Sequence, residues 1–234
     1  MLGTYLRGQL IFKAHQYWMY GFGLVLFSLG VKCFIDARLG TDPLAVLEIG
    51  LDNFHQQGIG FSSMLISIAF LSWWTVWNLK IPPLTPFVST VAVGYLIDLW
   101  NHLRLERFGI EALPALPIQV RGEVISLSGV GLDVVALLAC SYASALIIMS
   151  GIGIRIMDLV ALTMMERWGW SFFRSKMVLE VGLFLSGWAL GGPMGFTTLA
   201  FLFLVGPFIQ PFMWANAKYL NLPNHGVKGQ LQAA

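Results

Sequence analysis

The sequence predicts an all-α, polytopic transmembrane helical bundle of about six spans, and three observations carry that prediction. Of 234 residues, 57% are hydrophobic and 11% charged, with a mean hydropathy of +0.73, whereas a soluble domain carries roughly 25% charged residues. The apolar residues fall into runs near the roughly 20 residues needed to cross a hydrocarbon core of about 30 Å. The runs form two triplets, and in each triplet a short, charged, helix-like insert follows the first run.

The first span covers about Tyr17 to Ala37. Arg7 and Lys13 ahead of it imitate a signal peptide, but no small-residue cleavage site follows, so an uncleaved span is expected. After Leu39-Gly40-Thr41, the pair Asp42-Pro43 opens an insert reaching about Gln57. Asp is a good N-cap and Pro is favoured at the first helical position. The second span, Ile59 to Leu79, lacks charge and closes on Lys80 and the breaker pair Pro82-Pro83. The third, about Thr85 to Leu99, ends with Asp98, Trp100 and His102 at an expected interface. A polar connection with Arg104, Arg107, Glu111, Pro114 and Pro117 separates the halves.

The fourth span runs from about Val134 to Ile154, and a second insert from Arg155 to Trp170 carries Asp158, Glu166 and Arg167. The fifth, about Phe172 to Leu190, includes Arg174, Lys176 and Glu180; Gly191-Gly192-Pro193-Met194-Gly195 breaks it from the sixth, about Phe196 to Ala217. Pro207 and Pro211 read either as the source of a bent or broken sixth helix with backbone carbonyls free for a ligand or as silent kinks. Within one membrane domain spanning 1–234, repeat one covers about 17–103, the polar connection 104–130, repeat two 131–217 and a polar tail 218–234.

Cytoplasmic loops hold the excess of Lys and Arg. With both termini cytoplasmic, that side receives Arg7, Lys13, Lys80, Arg155, Arg167, Arg174, Lys176, Lys218 and Lys228. The other side receives Arg38, Arg104, Arg107 and Arg121. Three spans per repeat is odd, so the second copy is expected upside down, as in many secondary transporters. Gly40 aligns with Gly153, Thr85 with Thr197 and Gly94 with Gly206.

The stretch Leu39-Gly40-Thr41-Asp42-Pro43-Leu44-Ala45-Val46-Leu47, followed by Gly50-Leu51, resembles the Leu-Gly-x-Gly-Pro-Trp-Asp-Val-Leu signature of the YczE/YyaS/YitT-like bacterial membrane proteins. Gly187-Trp188-Ala189-Leu190-Gly191-Gly192-Pro193-Met194-Gly195-Phe196-Thr197 and Gly206-Pro207-Phe208-Ile209-Gln210 are similar to that family's closing segments. The resemblance covers roughly Gly21 to Trp214 and implies a bacterial membrane protein with a transport or regulatory role. This chain departs from the pattern at Asp42, Leu44 and Ala45 in the first half and at Arg155 and Ile156 in the second. Asp158 keeps the pattern's acid, and Lys176 stands where the family usually has Arg.

Ionisable groups inside apolar spans cost about 2.5 to 3.5 kcal/mol on insertion scales and face a protein interior or a wet cavity. Lys32 and Asp36, four apart on one helical face, read either as part of an ion path or as a self-satisfied pair. Lys176 and Glu180 repeat that spacing, and Glu180 falls near mid-membrane as the leading candidate for a proton- or cation-linked carboxylate. These four are the expected substrate or ion pathway; Asp42, Arg155 and Asp158 are expected at a gate or half-helix terminus. The inserts read either as re-entrant half-helices or as interfacial helices. In the first case Asp42 caps its own helix and Arg155 is the better anion contact. Gly187, Gly191 and Gly195 suit close helix packing, and Trp73, Trp74, Trp77, Trp100, Trp168 and Trp170 an interfacial belt.

His15, His55, His102 and His225 show no HExxH spacing and the chain has no GxSxG, so neither metal nor cofactor nor enzymatic chemistry is expected. Cys33 and Cys140 read as small core residues. The expected function is small-solute transport or export across a bacterial cytoplasmic membrane by alternating access around a midplane site. The alternative is a non-transporting membrane scaffold or regulator that binds a partner protein. Expected partners are the lipid bilayer, a small solute and a further copy of the chain, with no nucleic acid. Single cysteines at Asn53 and Trp168 are predicted to be labelled from opposite sides of the membrane. Labelling of both from one side would rule out the inverted arrangement.

Overall fold

The computed structural model describes residues 13–37, 39–103, 117–120 and 123–225, so Arg7, Arg38, Arg104, Arg107, Glu111, Pro114, Arg121 and Lys228 lie outside the described residues. The first half contains α1 (Ala14–Ala37), α2 (Pro43–His55), α3 (Ile59–Asn78) and α4 (Thr85–His102). In the connection, β1 (Pro117–Val120) and β2 (Glu123–Ser126) pair antiparallel, a small ribbon the sequence reading did not anticipate. The second half contains α5 (Leu127–Ser150), α6 (Ile156–Trp168) and α7 (Phe172–Ala189). Then α8 (Phe196–Ala200), a π turn (Phe201–Val205) and α9 (Gly206–Tyr219) run on as one stretch of 24 residues.

Among the described residues, four segments are long and apolar enough to cross a membrane: Ala14–Ala37, Ile59–Asn78, Val130–Ser150 and Phe196–Tyr219. The expected third and fifth spans, α4 and α7, are helices of 18 residues each, about 27 Å long at 1.5 Å per residue. They are not among the four, since α7 carries Arg174, Lys176 and Glu180 and α4 carries Asp98, Asn101 and His102. The fourth span ends at Ser150 rather than Ile154. Gly151 takes φ +67°, which only glycine adopts freely, and the Ser150 hydroxyl accepts the Ile152 N–H at 3.2 Å.

Lipid tails give helices no hydrophobic reason to associate, so close approach must come from small residues. In the α1–α5 pair, Gly23 lies against Ala143 and Ile147, and Gly30 against Ala136 and Cys140, so the two helices run antiparallel. Leu24, Phe27, Val31 and Phe34 fill the seam with Ala136, Leu137, Cys140 and Phe201. Cys140 is buried and Cys33 half-buried, both as free thiols.

The two inserts are buried at their starts and exposed at their ends. In α2, Leu44, Ala45 and Val46 are buried while Phe54 is 71% exposed; in α6, Ile156 to Ala161 are buried while Trp168 is exposed. An interfacial helix would expose one face along its whole length. A gradient along the axis instead describes half-helices that begin in the protein interior and emerge at its surface. Asp42 caps α2, its carboxylate accepting from Leu44 N–H at 3.1 Å and Ala45 N–H at 3.4 Å. The positive-φ residues Gln56 and Gly169 close the two helices at their outer ends.

Each lead-in loop docks on the last helix of the other half. The Thr41 N–H donates to Thr198 Oγ1 at 3.2 Å and the Thr197 N–H to the Leu39 carbonyl at 2.9 Å. Reciprocally, the Ile156 N–H donates to Thr90 Oγ1 at 3.1 Å, and Gly153 lies against Thr85 and Ser89. Residues Leu44, Ile66, Met157 and Leu183 form one apolar cluster where α2, α3, α6 and α7 meet.

Two expectations are corrected. Asp98 is not merely an interface charge: its carboxylate accepts from the Ile59 N–H at 2.9 Å and the Gly60 N–H at 2.7 Å, capping α3 where Gly58 has no side chain to do so. Trp74 leaves the interfacial belt for the core, fully buried with its indole N–H on Thr163 Oγ1 at 2.8 Å.

The α7 glycines separate the tolerant positions from the intolerant ones. A Cβ on Gly187 would fall inside contact distance of the Val46 and Leu47 backbone, which cannot step aside; a Cβ on Gly182 would meet nothing within 4 Å. Gly187→Ala is expected to cost about 1–3 kcal/mol through overpacking. Gly182→Ala is expected to be neutral or slightly stabilising, by up to about 1 kcal/mol. Unfolding of the two variants side by side in detergent checks the contrast.

Candidate functional site

Because both half-helices begin inside the protein, their N-termini bring partial positive charge to one interior region, roughly half an elementary charge each. The charged side chains are arranged around those ends. Arg155, the residue before α6, places Nη1 3.8 Å from Asp42 Oδ1 at the start of α2, and its Nε lies 3.6 Å from Asp158 Oδ2 in its own first turn. Lys176 Nζ on α7 lies 2.8 Å from Asp158 Oδ1 and 3.0 Å from Glu180 Oε1. The result is a line of alternating sign, Asp42, Arg155, Asp158, Lys176, Glu180, joining α2 to α6 and α7.

Every member of the line is buried, Arg155 to 5% exposure and Glu180 to 2%. Isolated buried ions are expensive, and mutual attraction offsets the cost only where each has opposite partners at close range. The three inner members have two opposite neighbours apiece. Burial pushes Asp158 toward the neutral form, but Lys176 and Arg155 outweigh it and hold its carboxyl below the ordinary range. At one end, burial raises Asp42 despite Arg155 and the two backbone N–H bonds. At the other, Glu180 has Lys176 as its one ion-pair partner among the described residues, with Arg155 attracting it from farther off, and its Oε1 makes no hydrogen bond. Glu180 is therefore the least compensated member.

Beneath the line lies apolar and irregular structure. The Arg155 guanidinium sits 4.8 Å over the Phe27 ring of α1, so a cation–π contact replaces part of its lost hydration. Lys176 and Glu180 line a pocket with Phe201, Leu202, Val205 and Gly206, which places it against the π turn. Pro207 explains that turn. Without an N–H it cannot satisfy a carbonyl one turn back, and its ring crowds that carbonyl, so the helix widens ahead of it. The break that Pro207 could bring thus takes the form of a π turn.

Asp42, Arg155, Asp158, Lys176 and Glu180 are brought together from the sequence-derived candidates, while Lys32 and Asp36 form a pair within α1. Near that end of α1, Asp133 accepts a hydrogen bond from Thr197 Oγ1. The sequence reading missed Glu48 as a site residue. It is buried in α2 and accepts a hydrogen bond from Ser63 Oγ. It stands six residues beyond Asp42 on a charged insert, and the direction of α2 into the interior is what buries it. Among the described residues, no group of three or more His, Cys, Asp or Glu is placed to hold a metal ion.

Comparison with known proteins agrees with a membrane chain and assigns it no activity. A model described as "Family of unknown function (DUF6198)" matches residues 14–214. The chain is similar to the "Uncharacterized membrane protein YczE" of Bacillus subtilis (strain 168), 24% identical over 206 residues, covering 87% of this chain and 88% of that protein. It is also similar to the "Uncharacterized protein YyaS" of the same organism, 33% identical over 85 residues, covering 36% of this chain and 42% of that protein. No solved structure matches.

Removing Lys176 would leave Asp158 and Glu180 as neighbouring buried anions. Lys176→Met is expected to lower stability by about 3–5 kcal/mol. Adding Glu180→Gln is expected to recover part of that loss, because it removes one of the stranded charges. A double-mutant cycle on Lys176 and Glu180, read by unfolding in detergent, checks both outcomes.

Proposed function

The chain belongs to the DUF6198 family of unknown function, and from its own geometry we propose that it is a small-solute transporter or exporter of a bacterial cytoplasmic membrane. In this reading α4 and α7 complete six spans, and the halves are inverted repeats with both termini cytoplasmic. The matching elements support the repeat: α1 and α5 have 24 residues each, and α2 and α6 have 13 each. The reciprocal docking of each lead-in loop on the other half's last helix supports it further.

The observation that carries the transport reading is the meeting of two half-helix N-termini at a buried line of five alternating charges. Secondary transporters built from inverted repeats place broken helices and binding sites at the repeat interface near the bilayer midplane. A purely structural protein gains little from burying five charges, since well-packed apolar residues of similar volume stabilise as well or better. Alternating access then moves one half against the other about the line, and each state exposes it to a different side. Glu180, with the weakest compensation, is the carboxylate that changes partner or protonation. Arg155 and Asp158 act at the start of α6, Asp42 at the start of α2, and the Lys32–Asp36 pair in the path along α1.

Purified chain reconstituted in liposomes is expected to move a small solute from a broad metabolite panel. Glu180→Gln is expected to abolish net movement and Lys32→Ala to reduce it. Flux unchanged by both substitutions would remove these site assignments. No flux across the panel, together with specific capture of one protein by cross-linking through Trp168, would favour the scaffold reading.

A further inference from the structure

Around the two half-helix starts the charges leave one carboxylate without compensation; elsewhere in the interior, Lys32 pairs with Asp36 within α1 and Asp133 accepts from Thr197. Asp42, Glu48, Asp158 and Glu180 oppose Arg155 and Lys176. The two half-helix N-termini supply about one further positive charge between them. One negative charge remains, and a buried ion without a partner neutralises itself by taking up a proton.

Glu48 is where that proton belongs by geometry. Its carboxylate is 3% exposed, and its hydrogen-bond partner is the neutral Ser63 hydroxyl of α3. Of the charged groups around it, Asp42 at the start of α2 and Asp98 at the end of α4 repel its anion, and Arg155 at the start of α6 attracts it. The cations on α6 and α7 are already engaged: Arg155 faces Asp42 and Asp158, and Lys176 faces Asp158 and Glu180. Burial pushes the Glu48 carboxyl well up, against the Ser63 bond.

Titratable side chains follow it along α2 toward the outer end of that helix. Glu48, Asp52 and His55 stand at i, i+4 and i+7 on α2, one face of the half-helix, Glu48 buried and the other two half-buried. His55 Nδ1 lies 3.5 Å from Asp52 Oδ1 and accepts the Gln57 N–H at 3.1 Å, Asp52 Oδ1 accepts the Gly58 N–H at 2.7 Å, and His55 Nε2 shares a hydrogen bond of 2.9 Å with Ser62 Oγ. Ser62 adjoins Ser63, whose hydroxyl holds Glu48.

We infer that Glu48 is a protonation site fed from the exposed end of α2 through His55 and Asp52, and that the proton is the ion this interior exchanges. The coupling role rests on the transport reading; the protonation site does not. One proton is taken from water at the His55 end and bound by the Glu48 carboxylate, which becomes a neutral acid, and the reverse step returns it.

Infrared difference spectra of the full chain in liposomes, transferred from H2O to D2O at neutral pH, test this directly. A protonated carboxyl band present in the parent chain, lost in Glu48→Gln and shifted by deuterium, is the expected result. His55→Gln and Asp52→Asn are expected to slow the deuterium shift at least several-fold while leaving the band in place. A parent spectrum without that band, or with a band that survives Glu48→Gln, would overturn the protonation site. Unchanged exchange in both route variants would overturn the path. An intact Glu48 band in a chain that moves no solute would sink the transport reading while supporting the protonation site.

Discussion

Opposite charges held out of water must be neighbours, and that requirement organises the middle of this protein. The ion pairs of Arg155 with Asp42 and Lys176 with Asp158 cross from one helix to another. They fix where α2, α6 and α7 may lie. A shift of any of the three by a few ångström would strand a charge in a medium that cannot solvate it. The apolar cluster of Leu44, Ile66, Met157 and Leu183 fills space around the line but tolerates sliding far better. Packing supplies contact here, and charge supplies position.

The exchange of loops between the halves serves the same end. Short loops, including residues 39–42 and 151–155, bring each half-helix back into the interior, and backbone outside a helix has no intrahelical hydrogen-bonding partners. Thr198 and Thr90 meet part of that need from the opposite half. The tight packing of Gly187 on the Val46–Leu47 backbone, and of Gly195 on Leu39, allows the loop and helix to approach closely enough. Neither half completes its own half-helix start.

Much of the fold is legible in the sequence because its boundaries are punctuated chemically. Asp42-Pro43, Gly151, Gly169 and Gly191-Gly192 end or begin elements through capping, fixed φ or freedom at positive φ, all local effects. The five-charge line is partly legible, since Lys176 with Glu180 and Arg155 with Asp158 carry helical spacing. What joins them is not, because Lys176 meets Asp158 from 18 residues away and Arg155 meets Asp42 across the halves. Asp98 caps α3 from 39 residues away, so no local pattern announces it. Glu48 went unremarked and Trp74 was misplaced for a related reason: polarity and aromaticity mark a residue type, while the depth and direction of a helix are set by what it packs against.

The π turn at Phe201–Val205 has a mechanical meaning separate from the chemistry beside it. It holds one residue more than an α-helix uses over the same length, and one residue of α-helix corresponds to about 100° of rotation. Displacing that surplus along the helix turns the intervening side chains by about that angle with little change in end-to-end length. Met213 and Asn216 on α9 seat against Met149 on α5, anchoring the far end. The last helix thus carries its surplus residue beside Glu180, just ahead of Pro207, with its far end seated on α5.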